Sequence, residues 1–422
     1  MTTIDPKIER LVDEAERDCA ESFARLDRIE RHNTRRVLAA FQKHRVSARH
    51  FAPTTGYGYD DIGRDTLSAI FAELLGCEDA IVRPQIASGT HALALCLYGI
   101  LRPGDTMLAA SGKPYDTLEE VIGLTGEAGR GSLADYGVKY SQIDVLPNGQ
   151  LDLEGIKTAL ENDPSIRLVE IQRSRGYAWR PSLTVEQIRE VSALVHSVKP
   201  DAVVMVDNCY GEFSDMEEPG AVGADIMAGS MIKNPGGGLA PTGGYVAGRK
   251  DLVELVSYRL TSPGIGAEVG SYAGSYQPFY QGLFEAPHVV MQAIKTAILT
   301  AAVFEKLGFA VNPRHDEHRT DIIQAIRFGD ADRLIAFIQG IQANSPVDSD
   351  AVPEPWAMPG YQDKVIMAAG TFVAGASIEL SADAPVREPY IVYMQGALTY
   401  AHGRCGLEGA LQTMLDRKLI TL

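Results

Sequence analysis

One lysine, Lys233, sits between a short apolar run and a glycine-rich loop in GSMIKNPGGGLAPTGGYVAG, residues 229–248. Three kinds of chemistry use such a stretch: a loop that cradles phosphate, a flexible hinge, and a lysine that forms covalent bonds. A nucleotide-binding loop places its lysine and a hydroxyl after the glycines, as G-x-x-x-x-G-K-[ST]. Here the lysine precedes the glycines, and no GK[ST] occurs anywhere in the chain. The covalent reading needs partners, and these can be sought elsewhere in the sequence.

A lysine that holds pyridoxal phosphate as a Schiff base needs four kinds of help. The phosphate needs backbone N–H groups at a helix N-terminus, with hydroxyls beside them. The ring nitrogen needs a carboxylate to keep it protonated, and the ring face needs an aromatic partner. The substrate carboxylate needs an arginine. ASGTHALALCLYGI supplies Ser88, Gly89 and Thr90 in a small turn before an apolar helix, and VVMVDNCY ends a buried strand on Asp207. SGKPYDTLEE offers Tyr115 as the ring, and Ser230 precedes the lysine as Ser-x-x-Lys. Each has an ordinary alternative: a helix cap for Ser88–Thr90 or Asp207, a core position for Tyr115, a strand end for Ser230. Arg387 in APVREPYIVY is the candidate for the substrate carboxylate, against a surface or interdomain ion pair. Arg173 and Arg175 in QRSRGY follow a buried run and could reach the cofactor or the substrate, or form a salt bridge. His315 and His318 in RHDEHR would share a helix face, but no third ligand is evident, so no metal is expected.

The order SGT, Tyr115, Asp207, Ser230-x-x-Lys233 resembles the fold-type I pyridoxal-phosphate enzymes of cysteine and methionine metabolism. IQRSRGYAWRPSL, GSMIKNPGGGLAPTGGYVAG and REPYIVYMQGALTY together resemble a narrower group, the methionine gamma-lyase-like or aluminium-resistance family of bacteria. The likeness runs from about residue 30 to the end. It implies that Lys233 carries the cofactor, Asp207 pairs with the pyridine nitrogen and Tyr115 stacks on the ring. Ser88, Gly89, Thr90 and Ser230 would hold the phosphate. GYGYDD matches a segment that, in the broader lyases, reaches a neighbouring subunit's phosphate through a Tyr-x-Arg pair. Tyr57 matches the tyrosine, but Tyr59 stands at the arginine position and the next arginine is Arg64. Tyr59 is accordingly a candidate for substrate contact. The implied activity is a carbon–sulfur lyase that eliminates a β or γ thiolate from an amino acid. Lys233, expected to be neutral through desolvation near other cations, would take the Cα proton. Transamination, replacement, racemisation, or a non-catalytic cofactor-binding protein are the alternatives.

These residues must be positioned by a scaffold, and the sequence patterns describe one. Apolar runs at 80–82, 106–109, 168–171 and 202–206 alternate with helical segments such as 184–198. That alternation predicts an α/β fold with a mostly parallel sheet and ligands at the carboxyl ends of the strands. Residues 51–290 are expected to form this large domain. Before it, apolar residues at three- and four-residue steps from Ile8 to Ile29 predict a helical arm over 1–50. The arm would pack on another domain or another subunit. After it, residues 291–422 read as a smaller α+β domain: a helix over 289–307, a proline-punctuated stretch SPVDSDAVPEPWAMPGY, strands at 365–369 and 377–380, and a closing helix near 406–415.

The 422 residues allow two domains, and a net charge of −16 argues against a nucleic-acid surface. Five scattered cysteines, never in a CxxC pair, fit a reducing compartment. The charged N-terminal stretch lacks the apolar core of a signal peptide, and no uninterrupted apolar run of membrane-spanning length is seen. A cytoplasmic homodimer or homotetramer with sites shared between subunits is the expectation, with an amino acid as its small-molecule partner.

Overall fold

The computed structural model describes residues 3–358 and 363–422. Helices α1 (Pro6–Asp18) and α2 (Ala20–Lys43) form the N-terminal arm. The sheet of the large domain follows, with strands β1 (Asp79–Arg83), β2 (Thr106–Ala109), β3 (Lys139–Gln142), β4 (Ile166–Gln172), β5 (Val203–Asp207), β6 (Ile226–Ser230) and β7 (Gly244–Gly248). Their order is β1-β7-β6-β5-β4-β2-β3. β7 is antiparallel to both its neighbours, and every other pairing is parallel. The four runs read as strands in the sequence are all strands. β5 shows why: all five residues of VVMVD are buried, Val203 and Met205 in one apolar cluster and Val204 and Val206 in another. A strand apolar on both faces needs helices on both faces.

Those layers are α3 (Ile62–Leu75), α4 (Gly89–Ile100), α5 (Asp116–Ile122), α6 (Leu153–Asn162), α7 (Val185–Val198) and α8 (Lys250–Leu260). α7 starts where expected, because Thr184 and Gln187 cap each other reciprocally at 3.1 and 2.9 Å. α9 (Gln277–Lys306) begins three turns earlier than its sequence pattern suggested and carries Pro287 inside it. The expected domain boundary at 290 therefore falls within one continuous helix. By length and composition α9 could cross a membrane, yet 89% of its most apolar window is buried in the protein. It is a core helix serving both halves of the chain.

β8 (Ala310–Asn312), β9 (Ile323–Arg327), β10 (Val365–Ala368), β11 (Ser381–Pro385) and β12 (Ile391–Gln395) form a second, fully antiparallel sheet in the order β10-β11-β12-β9-β8. α10 (Ala331–Ala343) and α11 (Tyr400–Asp416) pack on one another beside it. The strand expected at 377–380 begins instead at Ser381. Glu379 accepts the N–H groups of Phe372 and Val373, both at 2.9 Å, which ties 377–380 into a turn. The proline-punctuated stretch ends at residues 359–361, which lie outside the described residues. The arm settles on its own chain. Ile8, Val12, Leu26 and Ile29 are buried as α1 and α2 pack on α9 and α11, and Arg404 reaches Asp13 and Glu16 at 2.6 Å each.

Candidate active site

Lys233 lies three residues past the end of β6 and opens a short 3-10 turn, Asn234–Gly236. Asn234 is fully buried and donates to the carbonyls of Tyr210 and Glu212 at 2.9 and 3.0 Å. This links the lysine loop to the loop that follows β5. The glycines after it are packed tightly. Gly237 has φ +54°, and a Cβ there would stand 2.3 Å from the Gly282 carbonyl of α9. The loop is held against α9 by backbone contact, the arrangement of a fixed support and not of a hinge.

The N-terminus of α4 faces this loop. Ser88 caps the helix by accepting the His91 N–H at 3.1 Å, and the Thr90 and Thr117 hydroxyls are 2.8 Å apart. A Cβ on Gly89 would meet Cys209 Sγ at 3.1 Å and Ser230 Cβ at 3.5 Å. The SGT turn, Ser230 and the loop carrying Asp207 thus converge at the carboxyl ends of β5 and β6. A helix N-terminus with hydroxyls beside it is an anion site by construction.

Asp207, Lys233 and Tyr115 line one inner cavity, together with Tyr177, Tyr210 and Asp383. Asp207 accepts the Cys209 N–H at 3.1 Å. Burial raises its pKa, opposed by Lys233 and that N–H. Lys233 Nζ stands 4.1 Å from the centroid of the Tyr210 ring. Burial alone would depress the lysine, but Cys209, Tyr210, Asp207 and Glu212 around it push its pKa above the ordinary value. The expected setting of neighbouring cations is therefore not found: acidic groups surround the lysine and favour its charged form. Glu212, fully buried and accepting from the Tyr245 hydroxyl at 2.8 Å, is itself pushed up to about 8 by burial.

The inner cavity continues into a larger one of about 490 Å3, and Tyr115, Gln172, Gly176 and Tyr177 border both. The outer cavity has charges of both signs, including Lys113, Glu119, Arg175, Arg180 and Arg387. Arg387 stands at its rim, half-exposed and paired with Asp363 at 2.7 Å. Arg175 is buried, donates to the Asn312 carbonyl at 2.7 Å, and leaves Nη2 without a hydrogen-bond partner. Arg173 does not reach the cleft. Its guanidinium turns to Asn208 at 2.8 Å, Ser214 at 3.2 Å and Glu218 at 3.6 Å, where it braces the loop after β5.

Tyr57 and Tyr59 do not line either cavity of their own chain. They project into solvent, 72% and 63% exposed, with ring centroids 5.6 Å apart. Arg64 is buried and committed to the Gly58 carbonyl at 2.8 Å and to Asp65 at 2.7 Å, so it is not a reaching group. His315 and His318 lie in a turn and not on a helix, paired with Glu305 at 2.7 Å and Asp215 at 3.1 Å. No cluster of three metal-ligating side chains occurs among the described residues. Tyr210 and Tyr177 escaped the sequence reading although each lies within a stretch it singled out, VVMVDNCY and QRSRGY. Tyr393 and Gln395 lie within REPYIVYMQGALTY, but neither was picked out as a site residue, and Asp383 carried no local signal, because the antiparallel sheet brings all three in from the far end of the chain.

The sequence profile of methionine gamma-lyase matches residues 8–415. The chain belongs to the methionine gamma-lyase family. This is a family of pyridoxal-phosphate-dependent carbon–sulfur lyases, and the two-sheet architecture is that of fold-type I. A carbon–sulfur lyase involved in aluminium resistance from Clostridium novyi has a crystal structure that superimposes with a TM-score of 0.93. It is 51% identical, over 97% of this chain and 96% of that one. The Bacillus subtilis protein YnbB is 50% identical over 96% of both chains. The L-methionine gamma-lyase of Treponema denticola is 26% identical over 52% of this chain and 50% of its own.

Proposed function

We propose that the protein is a pyridoxal-phosphate-dependent carbon–sulfur lyase acting on a sulfur-containing amino acid. The observation that carries this is the meeting of Lys233 and Asp207 in one buried cavity, beside the helix N-terminus at Ser88–Thr90. The residues fit the cofactor: the donor set at Ser88, Gly89, Thr90 and Ser230 suits a phosphate, and a Cβ at Gly89 would crowd Cys209 Sγ at 3.1 Å. Asp207 would hold the ring nitrogen, Tyr115 would cover the ring, and Lys233 would bind the aldehyde carbon. When bound, pyridoxal phosphate supplies an electron sink that acidifies the substrate Cα–H.

The chain's own residues do the rest. Arg387 at the rim and Arg175 within the outer cavity are the groups to receive the substrate carboxylate. Lys233 Nζ moves the proton at Cα, and the Tyr115 hydroxyl delivers one to the departing sulfur. Asp207 keeps the ring nitrogen protonated. The products are a thiol, a keto acid and ammonia, with one water consumed. Tyr57 and Tyr59 are assigned to the phosphate end or substrate end of a neighbouring subunit's site, in a homodimer or homotetramer. Five free thiols suit a cytoplasmic setting.

The test is direct. Protein purified with pyridoxal phosphate should show a visible absorption band that borohydride bleaches, and should release thiol and keto acid together from cystathionine or methionine. A colourless protein sinks the cofactor assignment, and keto acid without thiol replaces elimination by transamination. Lys233→Ala should lose both the band and turnover.

A further inference from the structure

The proposed chemistry uses one carboxylate of the inner cavity, Asp207, and the cavity has a second. Asp383 comes from β11 of the antiparallel sheet, on the wall facing the large-domain sheet that carries Asp207. It pairs in register with Tyr393, and Gln395 donates to its Oδ2 at 3.3 Å. Tyr177 and Lys233 also draw it toward its ionised form. Its other titratable neighbours are Tyr210 and Tyr393, whose ionisation its charge opposes. Met367 of β10 pairs with it across the sheet, and α10 packs on β11 against the core that holds Ala382 and Ala384. Among the described residues Lys233 is thus the one cation lining the inner cavity, against two carboxylates.

We propose that Asp383 receives the ammonium group of the amino-acid substrate, orients its carboxylate toward Arg175 and Arg387, and takes the proton the amine must lose. Both cavities carry charges of either sign, and Asp116, Glu119, Glu120, Asp144 and Asp363 line the outer one beside its cations, but among the described residues arginines line only the outer cavity. Arg175 is buried in the wall of the outer cavity, its guanidinium turned to Asn312 and Asp321, and Arg387 stands at the rim, while the extra carboxylate lines the inner cavity with Lys233. An amino acid entering carboxylate-first toward Asp383 would bury like charges together, whereas the opposite orientation pairs both ends. It also brings the amine, and not the carboxylate, to the atom it must displace. The proton balance is simple: the ammonium N–H bond breaks, the proton passes to Asp383 Oδ, and the bonding pair stays on nitrogen as the lone pair of a neutral amine. Burial raises the Asp383 carboxyl to about 6, near enough to neutrality to accept and return a proton.

This inference rests on the amino-acid reading of the cleft, and one experiment separates the two. Binding of L-norleucine and of hexanoate, which has the same chain without the amine and no leaving group, is measured by calorimetry on the holoenzyme. Wild type should prefer norleucine. Asp383→Asn should weaken norleucine by about 10- to 100-fold while leaving hexanoate unchanged or tighter. Asp383→Glu should keep the preference. In wild type the preference should fall as pH drops below about 6, where Asp383 takes up a proton, and this limb needs no variant to fold. An unchanged ratio in Asp383→Asn, or no acid limb in wild type, overturns the role of Asp383 alone. Binding of neither ligand by wild type overturns the amino-acid reading and this one with it.

Discussion

At the scale of single residues the site is an arrangement of opposed charges sealed from water. Asp207 is 8% exposed, and its acidity is weakened by burial faster than Lys233 restores it. Such a carboxylate gains most from a cation delivered to it, which a protonated ring nitrogen provides. Asp207→Asn is therefore expected to retain the fold but lose catalysis by about 10²- to 10³-fold, the usual cost of removing one preorganised charge at a reacting centre. Steady-state rates, with the visible band confirming cofactor retention, check this. Arginines 173 and 175 show where residue-level reading of the sequence stops. They are two positions apart, and both follow a strand at its ligand end. Yet Arg173 points into the Glu218 brace while Arg175 lines the cleft, because past β4 the chain leaves regular geometry and side-chain direction no longer follows from spacing.

At the scale of elements, the site's position follows from where β5 and β6 end and what supports their loops. The glycines after Lys233 let the loop backbone lie on α9, and Gly282 of that helix returns the favour, since its Cβ would stand 2.1 Å from the Gly236 carbonyl. Gly237→Ala meets two penalties together: a left-handed φ of +54° and a 2.3 Å contact with backbone. Destabilisation by more than about 2 kcal/mol is expected, with loss of cofactor retention at temperatures where the fold survives. Denaturant unfolding and the visible band measure the two effects separately. Lys233, Asp207, Tyr115 and the SGT turn were legible in the sequence because each lies at a strand end or helix start marked by local pattern. β11 and β12 were not, since half their ladder partners lie far off in the chain and Glu379 ends the alternation that suggested a strand one step early. Asp383 became visible only with that register.

At the scale of the whole molecule, one exposed feature lines neither cavity of its own chain. Tyr57 and Tyr59 are stacked side by side in solvent, on a loop whose backbone is fastened by Arg64 to Gly58 and by Gly270 to Tyr57. A fastened loop that exposes two large aromatic rings presents them to something. If that is the cleft of a second copy, the defects of two inactive variants should complement each other. Lys233→Ala removes the reactive group from a chain's own site, whereas Tyr57→Ala with Tyr59→Ala removes the contribution to its partner's site. In a two-fold symmetric dimer carrying one chain of each kind, one site receives both defects and the other receives neither. Random mixing makes about half the dimers hybrid, so about a quarter of the wild-type sites should reappear on co-expression of two variants that are each inactive alone. Activity that remains at the sum of the separate variants would place the two tyrosines outside any shared site. Recovery near a quarter would show that each active centre is completed across the subunit boundary by the tyrosine pair of the neighbouring chain.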